Sequence, residues 1–303
     1  MTLRTPASIN NRLSLLDLNR GKERMAITQR ELSTGKRLNS PADDPAGAAL
    51  VVDFNASIGA NEQFIKQIDG ALSFLQGSEA ALTSVVDHLT RVIELGAQAL
   101  PGNSYGAGIS AMAKEVDTLR STFIALGNTN QQGRYLFSGT STLTQPFSGP
   151  AAGPITYAGN SGLIPLDVAK ATTVDSNIPG DSVFFGPGGQ GSATDLFQQV
   201  TDLRDAMTAG NSAAVQTAHT NLKAILSRLT SVLADLGGRQ AGITSMKDDF
   251  SGYNLVLQGI QNSIQDTDYP DAVTRYNADQ VAQQVTLNSM SKVQKQTLLD
   301  FMG

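Results

Sequence analysis

The chain has 303 residues, of which 40% are apolar and none is Cys or Trp, and its net charge is −5. Without Cys there can be no disulfide framework, thiolate metal site or thiol nucleophile, and the acidic balance disfavours nucleic acid as a partner. No apolar run is long enough to span a bilayer. The N-terminus lacks the apolar centre and small-residue cleavage site of a secretory signal, so we expect export, if it occurs, to use another route.

The first predicted helix covers residues 8–34 and is unusually polar. Leu18, Met25 and Leu32 recur every seven residues, with Leu15 and Ile27 nearby. Residues 1–40 carry eight Lys and Arg against three acidic residues. Such a helix has little apolar surface to bury alone, so we expect it to pair with a partner helix and not to lie on a membrane.

A break follows, from Gly35 to Pro45. Thr34-Gly35-Lys36 does not fit a phosphate loop, because Arg30 stands where that motif needs a glycine. Asp43 and Asp44 could act as paired carboxylates. The simpler interpretation is that Asp44 caps a helix whose first residue is Pro45.

The second helix carries a long heptad pattern. Fourteen positions from Phe54 to Leu100 alternate steps of four and three, and eleven of them are apolar. Pro101-Gly102 is expected to end this helix. A shorter helix follows, with an apolar face from Ile109 to Leu126.

Residues 133–191 change character. The runs RYLF, PITY, LIPLDV and DSVFF are typical of short strands between Gly and Pro clusters. Gly186 to Gly191 matches G-x-G-x-x-G, but no βαβ unit follows, so a flexible exit from a β insertion is the better interpretation.

The C-terminal third is again helical. Ser192 and Thr194 are predicted to cap a helix from Asp195 to Thr208. The next helix has apolar residues at eight successive heptad positions: Val215, Leu222, Leu229, Leu236, Ile243, Phe250, Leu257 and Ile264. Asp266 to Pro270 should break it before a final helix.

The order of elements predicts the fold class: mainly α, an antiparallel long-helix rod with terminal coiled-coil helices and a small β insertion. We expect a terminal coiled-coil domain of residues 1–40 with 268–303, and a helical rod of residues 41–140 with 192–267. Residues 141–191 would form the β insertion domain.

No catalytic, metal or cofactor site is predicted. Gly102 to Gly106 matches G-x-S-x-G, but Ser104 follows a heptad helix where a nucleophile elbow needs a strand. His88 and His219 stand alone on helices, outside any ligand cluster. An enzyme using Ser104 or the glycine-rich loop, and a coiled-coil binding module, remain as alternatives.

Several stretches resemble the bacterial flagellin family. ELSTGKRLNSPADDPAGAA at residues 31–49 closely resembles the family's N-terminal signature, and LTRVIELGAQAL at 89–100 its rod helix. NQQGRYLFSGTSTLTQPF at 130–147 and the TLLDFM ending are similar to hook-associated members of the family rather than to flagellins. Arg91, Glu94 and Leu95 match flagellin's innate-receptor patch in type, whereas Ile93 and Gly96 depart from it, so helix packing explains them.

The resemblance implies a structural axial subunit of the flagellum and not an enzyme. It would be exported by the type III route and form a hook–filament junction, as an adaptor between another hook-associated protein and flagellin. A short flagellin is the alternative. Self-association in a ring and an export chaperone are also implied. Candidate subunit-packing residues are Leu15, Leu18, Met25, Leu32, Val281, Val285, Leu298 and Leu299. Gly35, Pro41, Asp43, Asp44 and Pro45 would form a spoke between inner and outer layers.

Overall fold

A computed structural model describes the backbone of residues 5–100, 107–150, 153–169 and 171–302, and side chains within residues 12–292 of those ranges. The described residues divide into two compact units. Unit 1 contains the residues up to Ala60 and from Gly252 onward, and unit 2 contains Asn61–Ser251.

Helices dominate, which confirms the predicted mainly α class. They are α1 (Thr5–Thr34), α2 (Pro45–Gln98), α3 (Ala107–Gly127), α4 (Leu196–Thr208), α5 (Ser212–Gln265) and α6 (Tyr269–Met302). The strands are β1 (Asn130–Gln131), β2 (Arg134–Tyr135), β3 (Phe147–Ser148), β4 (Thr156–Tyr157), β5 (Pro165–Ala169) and β6 (Thr172–Asp175). They pair as three two-stranded antiparallel sheets, β1 with β2, β3 with β4 and β5 with β6.

The heptad positions form the core of unit 2. Ile68, Leu75, Leu82 and Leu89 of α2 are fully buried. On α5 the first five heptad positions, Val215 to Ile243, are at most 2% exposed. A repeat of seven keeps one face of a helix against its partner, which is why the pattern predicted this core correctly.

In unit 1, the beginning of α2 packs with the end of α5. Val51, Ile58 and Leu257 are buried there, and Gln261 donates a hydrogen bond to Asn55 Oδ1 over 3.2 Å. This small core lies beside the break that joins α1 to α2.

The part of the chain between α3 and α4 that carries β1 to β6, which we call the β segment, is attached to the helices of unit 2 by an aromatic cluster. Phe147 lies 4.9 Å from Phe184 and 5.2 Å from Phe197 of α4, measured between ring centroids. Phe184 and Phe197 stack at 5.4 Å. The segment and α4 therefore share one core, which none of their short runs signals by itself.

Two arginines add polar anchors. Arg120 of α3 is buried and donates to Thr201 Oγ1 and to the carbonyls of Pro150 and Gly153. Arg228 of α5 donates to the carbonyls of Ser182, Val183 and Thr194. Burial lowers the pKa of both guanidinium groups. Each satisfies backbone carbonyls that strand pairing leaves free.

Two local predictions are wrong. The run DSVFF forms a π-helical turn, Asp181–Phe185, instead of a strand. In this conformation its two phenylalanine rings pack against Phe147. Asp195, not Ser192 or Thr194, caps α4, and its carboxylate accepts from the amides of Phe197 and Gln198. The last residue of α2 is Gln98, a few positions before Pro101-Gly102 in the sequence.

Within the described residues, no helix is long and apolar enough to cross a membrane. The same part of the chain brings together no group of three or more His, Cys, Asp or Glu that could hold a metal ion. Ser104 lies outside the described residues.

Candidate assembly surface

The break between α1 and α2 has a defined structure. Gly35 ends α1 with φ of +72°, a backbone conformation that favours glycine, and its amide donates to the Glu31 carbonyl over 2.8 Å. Asp43 Oδ2 accepts from the amides of Asn39 and Ser40 at 3.1 and 2.7 Å. The exposed Pro41 lies in the turn closed by the Asp43 amide and the Ser40 carbonyl, 2.9 Å apart.

The start of α2 is capped as the sequence predicts. Asp44 Oδ1 accepts from the Gly47 amide over 2.9 Å, and Pro45 is the first helical residue. The pKa of Asp44 is lowered, mainly by the hydrogen bond from the Gly47 amide and to a smaller extent by the Arg37 guanidinium 3.5 Å away. A side chain at Gly47 would meet Asp44 Oδ2 at 2.6 Å, so a larger residue there would displace the capping carboxylate.

The break is also fastened to the junction between α5 and α6. The amides of Arg37 and Leu38 donate to the Gln265 carbonyl at 2.8 and 3.2 Å, and the Thr267 amide donates to the Gly35 carbonyl over 3.0 Å. The Leu38 side chain is buried. These contacts were not predicted from the sequence. The available signal was Leu38, the one large aliphatic residue in the break.

The helices α1 and α6 pack antiparallel along a thin seam. Arg24 Nε lies 3.2 Å from Asp279 Oδ1, and Arg275 Nη2 lies 3.0 Å from Glu31 Oε2. The buried and half-buried positions on α1 are Ser14, Leu18, Gly21, Met25, Thr28, Glu31 and Leu32. Those on α6 are Ala272, Tyr276, Asp279, Gln283, Thr286 and Met290. Because eight of these thirteen side chains are polar or small, the seam buries little apolar surface.

Apolar residues remain exposed on both helices. Val281 and Val285 are 63% and 57% exposed, and at 100° per residue they lie on the side of α6 opposite the seam. Leu16 and Ile27 likewise lie on the side of α1 away from α6, at 53% and 47% exposure. We call these four residues the outer faces of the terminal helices.

The candidate packing residues therefore fall into two groups. Leu18, Met25 and Leu32 are half-buried in the seam, whereas Leu15, Val281 and Val285 are exposed. The side chains of Leu298 and Leu299 lie outside the described residues. All remain predictions as subunit contacts.

The chain matches known proteins at both ends. The bacterial flagellin N-terminal helical region matches residues 7–142, and the bacterial flagellin C-terminal helical region matches residues 219–302. The chain belongs to the flagellin family. The matched regions contain nearly all of α1, the break after it, most of α5 and α6, so the family's shared part includes the surface described above.

Relatives similar over the full chain have one description. Flagellar hook-associated protein 3 of Escherichia coli strain K12 is 25% identical over 283 residues, covering 87% of this chain and 88% of its own. The Salmonella typhimurium protein of that name is 24% identical over 288 residues, covering 88% and 90%. Phase 1 flagellin of Salmonella naestved is 30% identical but over only 45% of this chain and 26% of its own.

Solved structures share the fold. A flagellar hook-associated protein from Vibrio parahaemolyticus superposes with a TM-score of 0.67 at 21% identity, over 74% of this chain and all of its own. The flagellar junction protein FlgL of Legionella pneumophila gives a TM-score of 0.60 at 18% identity, over 71% and 99%.

Proposed function

We propose that this chain is a structural axial subunit of the bacterial flagellum at the hook–filament junction. It would be an adaptor between another hook-associated protein and flagellin. The observation that carries the proposal is the extent of similarity: hook-associated protein 3 sequences match nearly end to end, whereas flagellin matches less than half of the chain.

The terminal helices support an assembly role. Their seam is thin and partly polar, and their outer faces expose Leu16, Ile27, Val281 and Val285. Helices that bury so little within the monomer gain stability when neighbouring copies cover their apolar residues. We propose that these outer faces, with Leu15, Leu298 and Leu299, are covered in the axial assembly, while Leu18, Met25 and Leu32 maintain the pair.

The break between α1 and α2 has a matching role. Its first part, residues 35–38, is hydrogen-bonded to Gln265 and Thr267, and its second part is held by the turn at Pro41 and Asp43 and the cap at Asp44 and Pro45. A connection that is fixed at both ends restricts the movement of one helical layer relative to the next. We propose that it is the spoke between an inner layer of terminal helices and an outer layer.

The proposed partners follow from this role. They are further copies of this chain in a ring, another hook-associated protein on one side, and flagellin on the other. Sharing the flagellin-type terminal helices would make the second face compatible with flagellin. An export chaperone that covers α6 before assembly is the remaining proposed partner, since exposed valines would otherwise favour aggregation.

Gold labelling of isolated flagella, with antibody raised against residues 141–191, tests the proposal. We expect a single band of label at the boundary between hook and filament. Label along the entire filament would establish the alternative, a short flagellin, and a high copy number per flagellum would accompany it. The absence of label from flagella would overturn both.

A further inference from the structure

A cavity of about 530 Å³ opens in unit 2 between α2 and the β segment. Gly70 and Phe74 of α2 line one side, and Ile164 and Leu166 line another. The volume is in the range of cavities that accept a ligand or a projecting group of a partner.

The charge of the cavity is positive. Lys66 and Arg134 are the charged residues among those that line it, and both are exposed. Arg134 follows the two-residue turn Gln132-Gly133, whose positive φ values of 53° and 79° fix the hairpin of β1 and β2. The hairpin is further held by a hydrogen bond from Gln131 Nε2 to Ser73 Oγ, 2.8 Å long.

Two acceptors in the cavity wall have no donor. Gln67 Oε1 and Gln131 Oε1 are buried and accept no hydrogen bond in the described part of the chain. A buried acceptor without a donor is unfavourable. These two oxygens have almost no exposed surface, so an occupant of the cavity would meet the two cations and not these acceptors, and the cavity suits an occupant that carries carboxylates.

The corner between α4 and α5 carries carboxylates that could face such a cavity. Residues 208–213 are all exposed and turn at Gly210, whose φ is +65°. Asp202 and Asp205 lie on the last turns of α4, and the Asp205 side chain is 62% exposed. Arg204 is shared between Asp117 and Asp205, so Asp117, Asp202, Asp205 and Arg204 together carry −2. Asn211 and Ser212 supply amide and hydroxyl donors at the tip.

A copy cannot place its own corner in its own cavity. The cavity is centred near Gly70 of α2, whereas Leu203 of α4 and His219 of α5 contact α2 at Gly96. Gly70 and Gly96 are 26 residues apart on α2, which corresponds to roughly 39 Å along the helix. The occupant, if it is this corner, must come from another molecule.

We propose that the α4–α5 corner of one copy docks in the Lys66–Arg134 cavity of a second copy, with Asp205 facing the two cations. The inference rests on the self-association in the proposed function. Because the two surfaces are different patches of one unit, the contact is heterologous and repeats from copy to copy into a ring or helix. Arg pairs with carboxylates through two parallel hydrogen bonds, which would fix the orientation of the neighbour.

Cross-linking between copies tests the contact, since the natural chain has no Cys. Cells would express Gly70→Cys and Ser212→Cys variants together, and isolated flagella would be treated with a short bismaleimide. Gly238→Cys replaces Gly70→Cys in the matched control, because a side chain at either glycine meets open space. We expect a dimer from the Gly70 and Ser212 mixture, and none from the control mixture or from either variant alone.

Other outcomes overturn the inference. An absence of dimer, while gold labelling places both variants at the junction, would reject this contact and leave the proposed function standing. An equal yield from the Gly238 control would show nonspecific proximity. A product that joins Gly70→Cys to a different protein would assign the cavity to another acidic partner. Absence of both variants from flagella would reject the proposed function and the inference with it.

A charge exchange gives an independent measurement. Arg134→Glu and Asp205→Lys should each reduce the number of copies per flagellum several-fold, and the double variant should restore it. Lys114→Glu, an exposed change of the same sign elsewhere in unit 2, should have no effect. Circular dichroism of the purified variants confirms that the helices are intact. Failure of the double variant to restore incorporation would overturn the pairing.

Discussion

Arg275 Nη2 lies 3.0 Å from the carboxylate of Glu31, whose side chain is only 7% exposed, whereas that of Arg275 is 45% exposed. This ion pair joins the C-terminal part of α1 to the beginning of α6. Arg275 also binds Asp271 over 2.8 Å, and the carboxylates of Glu31 and Asp271 raise its pKa against the effect of burial. One arginine therefore connects the two terminal helices at the end where the break between α1 and α2 begins.

Replacing this arginine should loosen the terminal pair. Arg275→Gln leaves the Glu31 carboxylate buried without its cation, and we expect a loss of about 1–2 kcal/mol, since the exposed arginine is partly screened by solvent. Hydrogen exchange should become faster in both α1 and α6. Arg20→Gln is the control, because Arg20 and Asp17 form a fully solvated pair. Equal effects of the two substitutions would contradict the role assigned to Arg275.

Substitutions on the two sides of α6 and α1 should have different consequences. Val281→Ser with Val285→Ser removes apolar surface from the outer face, so incorporation into flagella should fall while hydrogen exchange in α1 stays unchanged. Leu18→Ser with Met25→Ser changes the seam, so exchange in α1 and α6 should accelerate and incorporation should fall as well. Normal incorporation of the valine variant would show that neighbouring copies do not cover that face.

His219 should make unit 2 sensitive to acid. Its side chain is buried, its Nε2 has no partner among the described residues, and its pKa is lowered by burial and by Lys223, against a hydrogen bond to the Ile93 backbone. The unfolded chain therefore takes up a proton more readily than the folded one. The stability is complete above the unfolded pKa near 6.5 and is lost as the pH falls toward the folded value.

Thermal unfolding at pH 7.5 and pH 5.0 checks this expectation. The drop in Tm between the two pH values should be smaller in His219→Gln, which cannot become charged, than in the natural chain. His88→Gln is the control, since it replaces the other histidine of unit 2. The His88 ring packs edge-on against Phe123, with ring centroids 6.5 Å apart. The control variant should keep the acid sensitivity of the natural chain. An unchanged drop in His219→Gln would locate the sensitivity elsewhere.

Two glycines of the β segment allow a matched comparison. Gly133 and Gly139 have φ values of +79° and +67°, but only Gly139 is enclosed, since a side chain there would collide with the Asn160 carbonyl. Gly133→Ala should cost about 1–2 kcal/mol, from backbone strain alone. Gly139→Ala should cost at least about 3 kcal/mol, because overpacking adds to the strain. Urea unfolding measures both, and equal costs would show that the contact relaxes freely.

The long helices and their core were predictable from the sequence. The heptad positions from Val215 to Ile243 on α5, and Ile68, Leu75, Leu82 and Leu89 on α2, are buried in the structure as predicted. Asp44 and Pro45 also begin α2 as predicted. These features depend on residues within a few turns of each other, so a periodic pattern or a capping residue is sufficient to specify them.

Other features were decided only by tertiary contacts. DSVFF is a π-helical turn because Phe184 stacks on Phe197, a residue on a different element. The break between α1 and α2 is held in place by hydrogen bonds to Gln265 and Thr267, which are far away in sequence. Likewise, the sequence alone identified Leu18 and Val281 as apolar members of the terminal helices. It could not determine which of them faces the partner helix, because the seam also contains polar residues such as Thr28 and Asp279, whose burial follows from the contacts of the pair.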